Sequence, residues 1–284
     1  YSAVMPPKTI KDGAAANIAG KLYKDYKNRT IPCPTYIDGN PHIEKQMAHV
    51  RTMARLGMTG IMLDDERFNL KGAGLCFCPR CKTGYRAYLK QHHPDLKPVG
   101  LVEVVRQEKK YPRHYEAWLI FRAKGNSLRI AKMNQAFAEA AAKSGRKSTF
   151  ADPFTAILIS PADGTLRKAR ESQLWDIPSL AKSVDYVCPM IYPSKAKYLP
   201  STIRTLRNIH KNMGGKRNLW VTLNCGYSGG GSILEEHKDV IQYGTLEALM
   251  NGCKGVTYWN GYTSHDPLSL EQIAKVYVCC SLMR

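Results

Sequence analysis

The chain has 284 residues, of which 44% are hydrophobic, and a formal net charge of +19. This length allows one large core, as in an α/β barrel, and no run approaches the roughly 18 apolar residues that a membrane span needs. Lysine and arginine are scattered along the whole chain, which argues against nucleic-acid binding and leaves either a solvated basic surface or an attraction for acidic glycans.

Short β-rich runs alternate with longer amphipathic segments along the whole chain. The predicted strands are Ser2–Met5, Pro34–Ile37, Gly60–Asp65, Ser148–Asp152, Tyr186–Tyr192, Leu219–Asn224 and Gly255–Trp259. The predicted helices are 12–27, 41–56, 80–91, 114–144, 178–183, 201–212, 236–250 and 268–282. Repeated strand-then-helix order favours a parallel sheet covered by helices.

We predict a (β/α)8 TIM barrel in which residues 1–284 form one domain that lacks the first strand of the ring. Seven predicted strands are one fewer than a closed barrel contains. The chain begins within a strand, with neither an initiator methionine nor a signal-peptide pattern, so we expect it to be processed from a longer precursor. Localisation is left open, with a slight preference for an extracellular or periplasmic site. A doubly wound open sheet is the alternative, but its usual Gly-rich phosphate turn is missing from the sequence.

Alternation within the strands separates residues that face the helices from residues that face the barrel axis. Apolar Ile61 and Leu63 suit the helix layer, which directs Met62, Asp64 and Glu66 inward. The same alternation predicts an inward-facing set in later strands that comprises Tyr186, Cys188, Met190, Tyr192, Thr222 and Asn224. The polar members gather at the carboxyl ends of the strands, where barrel enzymes place their chemistry.

An acidic strand end is the main candidate for catalysis. Asp64 and Glu66 project on the same face with Cα atoms about 6–7 Å apart, so each discourages ionisation of the other and one can stay protonated near neutral pH. Glycosidic cleavage needs such a proton donor, usually with a second carboxylate across the bond. Asp152, at the end of the next predicted strand, is the candidate for that carboxylate, and a turn-initiating Asp-Pro is the alternative. An acidic strand end can also cap a loop or bind a cation.

Four further residues are candidate substrate contacts. Tyr192 can hydrogen-bond a substrate or an intermediate, Asn224 offers an amide, and Trp259 offers a flat apolar face for a sugar ring. Asp65 lies between the two inward-facing carboxylates. Core packing is the alternative role for the two aromatic residues.

The run Cys76-Phe77-Cys78-Pro79-Arg80-Cys81 is the most specific local signal in the sequence. Its Cys-x-Cys-x-x-Cys spacing can present three thiols to one tetrahedral zinc ion, and Cys33, beside the neighbouring predicted strand, is the candidate fourth ligand. Four thiolates fill the coordination sphere, so such a zinc would be structural and would pin the loop after the acidic strand. Reduced or disulfide-paired cysteines without metal are the alternative. We expect no organic cofactor.

This part of the chain resembles the family 42 glycoside hydrolases, which are β-galactosidases, and related glycosidase-like barrels. The matching stretch runs from Cys33-Pro34 through Leu63-Asp64-Asp65-Glu66-Arg67-Phe68 to the cysteine loop and Tyr85-Arg86-Ala87-Tyr88-Leu89. In that family an Asp-Asn-Glu strand end precedes the same cysteine spacing, and an earlier cysteine completes a zinc site. The resemblance implies that Glu66 is the acid/base glutamate. It also implies a set of metal ligands that comprises Cys33, Cys76, Cys78 and Cys81.

One feature departs from that family. Its nucleophile is a glutamate that ends the seventh strand, whereas the corresponding run here, Leu219–Cys225, contains no carboxylate. A weaker resemblance to family 18 glycosidases covers the Asp-x-Glu strand end, Met190-Ile191-Tyr192 and Trp259. Those enzymes use the N-acetyl group of the substrate as nucleophile and need no seventh-strand glutamate. Other acidic positions of their motif are occupied here by Thr59, Met62 and Pro193.

The predicted function is therefore glycoside hydrolysis of a poly- or oligosaccharide, with acidic polysaccharides among the candidate substrates. Glu66 would be the general acid, Asp64 would orient it, and Asp152 would be the base or a substrate ligand. A separation of about 6.5–9.5 Å between the Glu66 and Asp152 carboxyls predicts inversion, and about 5 Å predicts retention. The alternative is a catalytically lapsed, glycosidase-like barrel that binds glycans or scaffolds an assembly. No nucleic-acid partner is expected, and the oligomeric state is left open.

Overall fold

The structure is a computed structural model that describes residues 12–24, 30–64, 75–145, 154–159, 165–191, 199–214, 219–224 and 235–259. The described helices are α1 Pro41–Arg55, α2 Pro79–His92, α3 Leu101–Arg106, α4 Pro112–Lys143, α5 Leu166–Gln173, α6 Ile177–Leu180, α7 Leu199–Asn212 and α8 Glu235–Met250. The described strands are β1 Gly60–Asp64, β2 Phe154–Ile159, β3 Tyr186–Ile191, β4 Trp220–Asn224 and β5 Gly255–Trp259. None of the described helices is both long enough and apolar enough to cross a membrane.

The described strands form one sheet whose spatial order follows the chain, β1-β2-β3-β4-β5. β3 pairs with β4 in parallel, and β4 pairs with β5 in parallel. At least one helix separates each strand from the next, as parallel connections require. The predicted α/β class with parallel strand pairing is therefore confirmed. Because the described sheet has five strands in linear order, the closed eight-stranded ring stays a prediction.

The chain divides into two compact units. Unit 1 comprises Tyr1–Ala156 and Leu166–Asp185, and unit 2 comprises Ile157–Thr165 and Tyr186–Arg284. In unit 1, α4 is the central helix and packs against α1, α2, α3, α5 and α6. In unit 2, α7 packs on α8, and α8 packs on β4 and β5. A single domain over residues 1–284 stays a prediction.

The core of unit 1 is built around Trp118 on α4, whose side chain is fully buried. Its ring meets Tyr85 of α2 edge-on with the centroids 5.5 Å apart, and it lies 5.8 Å from the ring of Phe77. Such aromatic pairs contribute about 0.5–1.5 kcal/mol beyond the burial of their surface. Since Phe77 lies between Cys76 and Cys78, this core extends directly into the cysteine loop.

The segment before α1 is not the predicted helix 12–27. Its described residues form three antiparallel bridges, Ala14–Pro32, Ala16–Leu22 and Lys24–Thr30. The side-chain oxygen of Asn17 accepts hydrogen bonds from the backbone N–H groups of Ala19 and Lys21, both at 3.0 Å. Gly20, inside that turn, has a φ of +77°. This turn chemistry prevailed over the helix propensity of the alanines.

The predicted strand Pro34–Ile37 is also wrong, because this segment begins with a turn at Pro34-Thr35 and continues without strand structure toward α1. Asn40 shapes the transition: its side-chain Nδ2 donates to Tyr36 O at 3.0 Å, and its Oδ1 accepts from His42 N at 3.1 Å as the cap of α1. The predicted strands Ser2–Met5 and Ser148–Asp152 and the predicted helix 268–282 lie outside the described residues.

The strongly periodic segments were predicted well. α1, α2, α4, α7, α8 and the four strands β1, β3, β4 and β5 begin and end within two residues of their predicted bounds. The predicted helix 178–183 is the shorter α6. α3, α5 and the strand β2 were not predicted.

Candidate functional site

Cys33 lies at the end of the bridged segment that precedes α1. Its backbone N–H donates to Gly13 O at 2.7 Å, and the N–H of Ala15 donates to Ile31 O, also at 2.7 Å. Gly13 has a φ of +76°, and a Cβ there would lie 2.8 Å from the Nδ2 of Asn40. Glycine is therefore required where this segment passes the cap of α1. The two backbone hydrogen bonds fix the position of the chain at Cys33 and two residues before it, at Ile31.

The other three cysteines lie where the loop after β1 enters α2. Cys78 is the N-cap of α2, with its sulfur accepting a hydrogen bond from Cys81 N at 3.4 Å and Pro79 in the first turn. The partial positive charge of a helix N-terminus stabilises a thiolate at this position. The N–H of Phe77 donates to Ala16 O at 2.8 Å, which joins this loop to the bridged segment that carries Cys33.

The four sulfur atoms form a compact cluster. The Sγ atoms of Cys33, Cys76, Cys78 and Cys81 all lie within 4.8 Å of one another, and all four residues are buried. Cys33 Sγ is 3.3 Å from Cys81 Sγ and 3.7 Å from Cys78 Sγ. A tetrahedral ion with metal–sulfur bonds of about 2.3 Å gives sulfur–sulfur edges of about 3.8 Å. The four cysteines are free thiols, and their arrangement can hold one metal ion.

Hydrogen bonding among the four thiols lowers the pKa values of two of them and raises those of the other two. The contact with Cys76 lowers the pKa of Cys33 to about 7, and the contact with Cys33 holds the pKa of Cys78 well below its usual range. Contacts with Cys33 raise the pKa values of Cys76 and Cys81, and burial adds to this effect. The cluster therefore has thiols that are already acidic near neutral pH, and a bound cation would favour loss of the remaining protons.

Two polar groups outside the cysteine motif contact the sulfurs. The backbone N–H of Ala16 donates to Cys76 Sγ at 3.3 Å. The hydroxyl oxygen of Thr35 lies 2.9 Å from Cys81 Sγ and 3.5 Å from Cys33 Sγ. Hydrogen bonds of this kind orient metal ligands and stabilise their charge. Sequence reasoning missed Thr35, for which the only signal was its place two residues after Cys33.

The acidic strand end lies at the carboxyl end of β1. β1 ends at Asp64, and Glu66 follows two residues later in the chain. Asp65 and Glu66 lie outside the described residues. Ile61, at the start of the strand, is buried, and α1 packs on β1. The strand itself is therefore confirmed, and the catalytic roles at its end stay predictions.

Asp152 also lies outside the described residues, and the reason for choosing it changes. The neighbour of β1 in the sheet is β2, which begins at Phe154 and ends at Ile159. Asp152 therefore precedes this strand in the chain, whereas the prediction had it at a carboxyl end. Its role as the second carboxylate stays a prediction without the strand-end argument. The first carboxylate in the sequence after Ile159 is Asp163.

Two predicted substrate contacts occupy matching positions in unit 2. Asn224 is the last residue of β4, Trp259 is the last residue of β5, and the two are direct register partners. Paired positions on parallel strands share a face of the sheet, so Asn224 and Trp259 lie on the same face, and their roles as substrate contacts stay predictions. Tyr192 follows Ile191, the last residue of β3, and lies outside the described residues.

Comparison with known proteins gives structural similarity alone. Neither a protein-family model nor a curated protein matches this chain. The PgaB (BpsB) glycoside hydrolase domain from Bordetella bronchiseptica matches with a TM-score of 0.62 and 13% sequence identity, over 97% of this chain and 69% of that chain. The β-galactosidase from Bacillus circulans sp. alkalophilus matches with a TM-score of 0.55 and 11% identity, over 90% of this chain and 42% of that chain.

These similarities show that the chain has a glycoside-hydrolase-like fold. At 13% and 11% identity they concern the fold and not the chemistry. The chain spans less than half the length of the β-galactosidase that it matches. The resemblance to glycosidase barrels inferred from the sequence is thus supported for the fold.

Proposed function

We propose that this chain is a carbohydrate-active enzyme that hydrolyses glycosidic bonds, with Glu66 as general acid. The observation that carries the proposal is the combination of a glycoside-hydrolase-like fold with an acidic end on β1, where Asp64 closes the strand and Glu66 follows. Enzymes built on parallel α/β barrels bind substrate at the carboxyl ends of their strands. Asp64 and Glu66 occupy such a position in the chain.

The proposed chemistry assigns one role to each residue. Glu66 protonates the leaving oxygen, and a nearby Asp64 carboxylate raises the pKa of that acid by like-charge repulsion. Asp152 is the proposed base or substrate ligand, and Asp65 is a further proposed ligand. We assign sugar contacts to Tyr192, Asn224 and Trp259, supported by the register that pairs the last two. The net charge of +19 supports an acidic glycan as substrate.

We further propose that the cysteine cluster binds structural zinc. Four thiolates would complete the coordination of the ion, which would supply a cross-link and no reaction chemistry. The cross-link would join the bridged segment at Cys33 to the loop at Cys76, and so fix the end of the stretch that carries Glu66. The sulfur–sulfur separations of 3.3 and 3.7 Å support this assignment.

Release of reducing ends from a panel of neutral and acidic polysaccharides tests the hydrolase proposal. The comparison is between the wild-type chain, Glu66→Gln, and Glu139→Gln as a matched change of an exposed glutamate on α4. A general acid contributes about 10²–10⁴-fold to the rate, so Glu66→Gln should lose activity by at least about 100-fold while the control keeps it. Equal turnover by wild type and Glu66→Gln would exclude the acid assignment.

A second candidate function is glycan binding without hydrolysis. The observation that favours it is the end of β4, which is Asn224 and not the glutamate that ends the corresponding strand of family 42 enzymes. If the wild-type chain binds oligosaccharides from the same panel but releases no reducing ends, this second function replaces the first.

A further inference from the structure

Arg122 connects α4 to the cysteine loop from inside the core of unit 1. Its side chain is fully buried. Nη1 donates to Leu75 O at 2.7 Å, and Nη2 donates to Arg170 O at 3.2 Å and to Glu171 O at 3.0 Å. Leu75 directly precedes Cys76, so one guanidinium fixes both the start of the cysteine loop and the last turn of α5.

The same helix contacts the loop at a second point. The guanidinium carbon of Arg122 lies 5.7 Å from the centre of the Trp118 ring, one helical turn earlier. Trp118 in turn packs on Phe77, with ring centroids 5.8 Å apart. The loop is therefore held through the carbonyl before Cys76 and through the ring after it, which leaves Cys76 little freedom to move.

Among the described residues, Arg122 has no carboxylate within ion-pair distance to balance its charge. Burial lowers the pKa of Arg122 to about 10, so the group is still a cation at neutral pH, and Glu171 and Cys81 are among the groups that favour the charged form. In the described part of the chain, no carboxylate lies within ion-pair distance of it. A buried cation without such a partner is costly. A divalent ion bound by four thiolates carries two net negative charges and would offset that cost.

We propose that Arg122 is the positioning residue of the metal centre. It holds Cys76 in place through the Leu75 carbonyl and balances the negative charge of the thiolate cluster. The inference rests on the proposed metal centre. It requires that metal affinity depend on a residue of α4 that does not itself bind the ion.

The experiment compares Arg122→Met and Arg122→Lys with Arg129→Met and Arg129→Lys. Arg129 lies on the same helix, is 2% exposed, and donates to Asn126 Oδ1 at 3.1 Å and Gln46 Oε1 at 3.3 Å. Its replacement also removes a buried guanidinium from α4, but these bonds do not involve the cysteine loop. Each protein is first loaded with zinc or cobalt, and the bound metal per chain is measured. The readouts are zinc affinity by chelator competition, the sulfur-to-cobalt charge-transfer absorption, and the free energy of unfolding.

Loss of a hydrogen bond that orients a metal ligand typically weakens metal binding about 10–100-fold. We expect that loss for Arg122→Met and a smaller one for Arg122→Lys, which keeps the charge but not the planar donors. Both Arg129 variants should bind zinc like wild type even where the free energy of unfolding falls. If Arg122→Met does not fold, the affinity and cobalt spectrum of Arg122→Lys against those of Arg129→Lys decide the question.

Two results would overturn the inference. If the Arg122 and Arg129 variants weaken zinc binding equally, the cause is a general loss of stability. If the Arg122 variants bind zinc with wild-type affinity, the contact with the Leu75 carbonyl does not affect metal binding. A wild-type chain that binds no metal would remove the proposed centre and this inference together. The first measurement, bound metal per wild-type chain, distinguishes that case from a failure of the inference alone.

Discussion

Replacing Gly125 by alanine tests how closely α4 must approach the cysteine centre. Gly125 is in the interior of α4, where a Cβ would lie 2.7 Å from Pro34 O, 3.0 Å from Thr35 Cγ2 and 3.1 Å from Thr35 Cα. Ordinary contacts of a Cβ begin at 3.4 Å, so the turn after Cys33 would have to move by about 0.7 Å, the difference between 3.4 and 2.7 Å. Two of these three atoms belong to the backbone, so rotation of a side chain cannot relieve the overlap.

Two opposing terms set the size of the effect. Alanine in place of glycine inside a helix stabilises by about 1 kcal/mol, whereas overpacking a close contact costs about 1–3 kcal/mol. We expect a net fall of about 1 kcal/mol in the free energy of unfolding. A chain loaded with zinc at the proposed centre should also release it faster, because the displaced turn directly follows Cys33.

The assay is urea-induced unfolding, with Gly84→Ala as the matched control. Gly84 lies inside α2, and a Cβ there would meet the ring of Phe121, with the nearest atom 3.0 Å away at the end of a side chain that can shift. The gain in helix propensity is common to both variants, so their difference isolates the contact with the turn. Gly125→Ala should be less stable than Gly84→Ala by about 1–2 kcal/mol. Equal stability of the two variants, or a more stable Gly125→Ala, would refute the reasoning.

Two further predictions concern unit 1. A Cβ at Gly60 would overlap the ring of Phe154, so Gly60→Ala should lower the free energy of unfolding by about 1–3 kcal/mol. In a double-mutant cycle, Phe154→Leu should restore part of this loss. If the effects of the two substitutions on the free energy of unfolding simply add, the contact is contradicted. The Asp176 side chain is 4% exposed and accepts from Arg170 at 2.7 Å. Asp176→Asn should therefore lower the free energy of unfolding, measured by thermal denaturation, by about 3 kcal/mol. Asp12→Asn, which breaks an exposed ion pair, should lower it by under about 1 kcal/mol. Similar losses for the two variants would contradict the argument that burial sets the size of the effect.

The cysteine cluster could be predicted in outline because its signal is largely local. Cys76, Cys78 and Cys81 are fixed relative to one another by the start of α2, where Cys78 caps the helix and Cys81 follows one turn later. Cys33 was assigned from the predicted strand next to it, which proved to be a turn, and from the family resemblance. The contacts of Thr35 and Arg122 could not be predicted, because they join positions 46 and 47 residues apart in the chain.

The fold was predictable where one pattern dominates. Long amphipathic helices such as α1 and α4 and the apolar strands β4 and β5 were found from periodicity alone. The helix predicted at 12–27 failed because Asn17 and Gly20 form a turn within a run of alanines. β2 was not predicted; its apolar run begins only after Asp152-Pro153, so Asp152 precedes this strand and the strand-end argument for Asp152 does not rest on it.

The most direct test of the hydrolase proposal is a crystal structure of the Glu66→Gln chain with a bound oligosaccharide. The proposal predicts that the side-chain amide at position 66 lies within about 2.6–3.2 Å of a glycosidic oxygen, the distance at which the natural carboxyl could donate its proton. A sugar bound with every glycosidic oxygen beyond reach of that side chain would contradict the assignment of Glu66 as the acid.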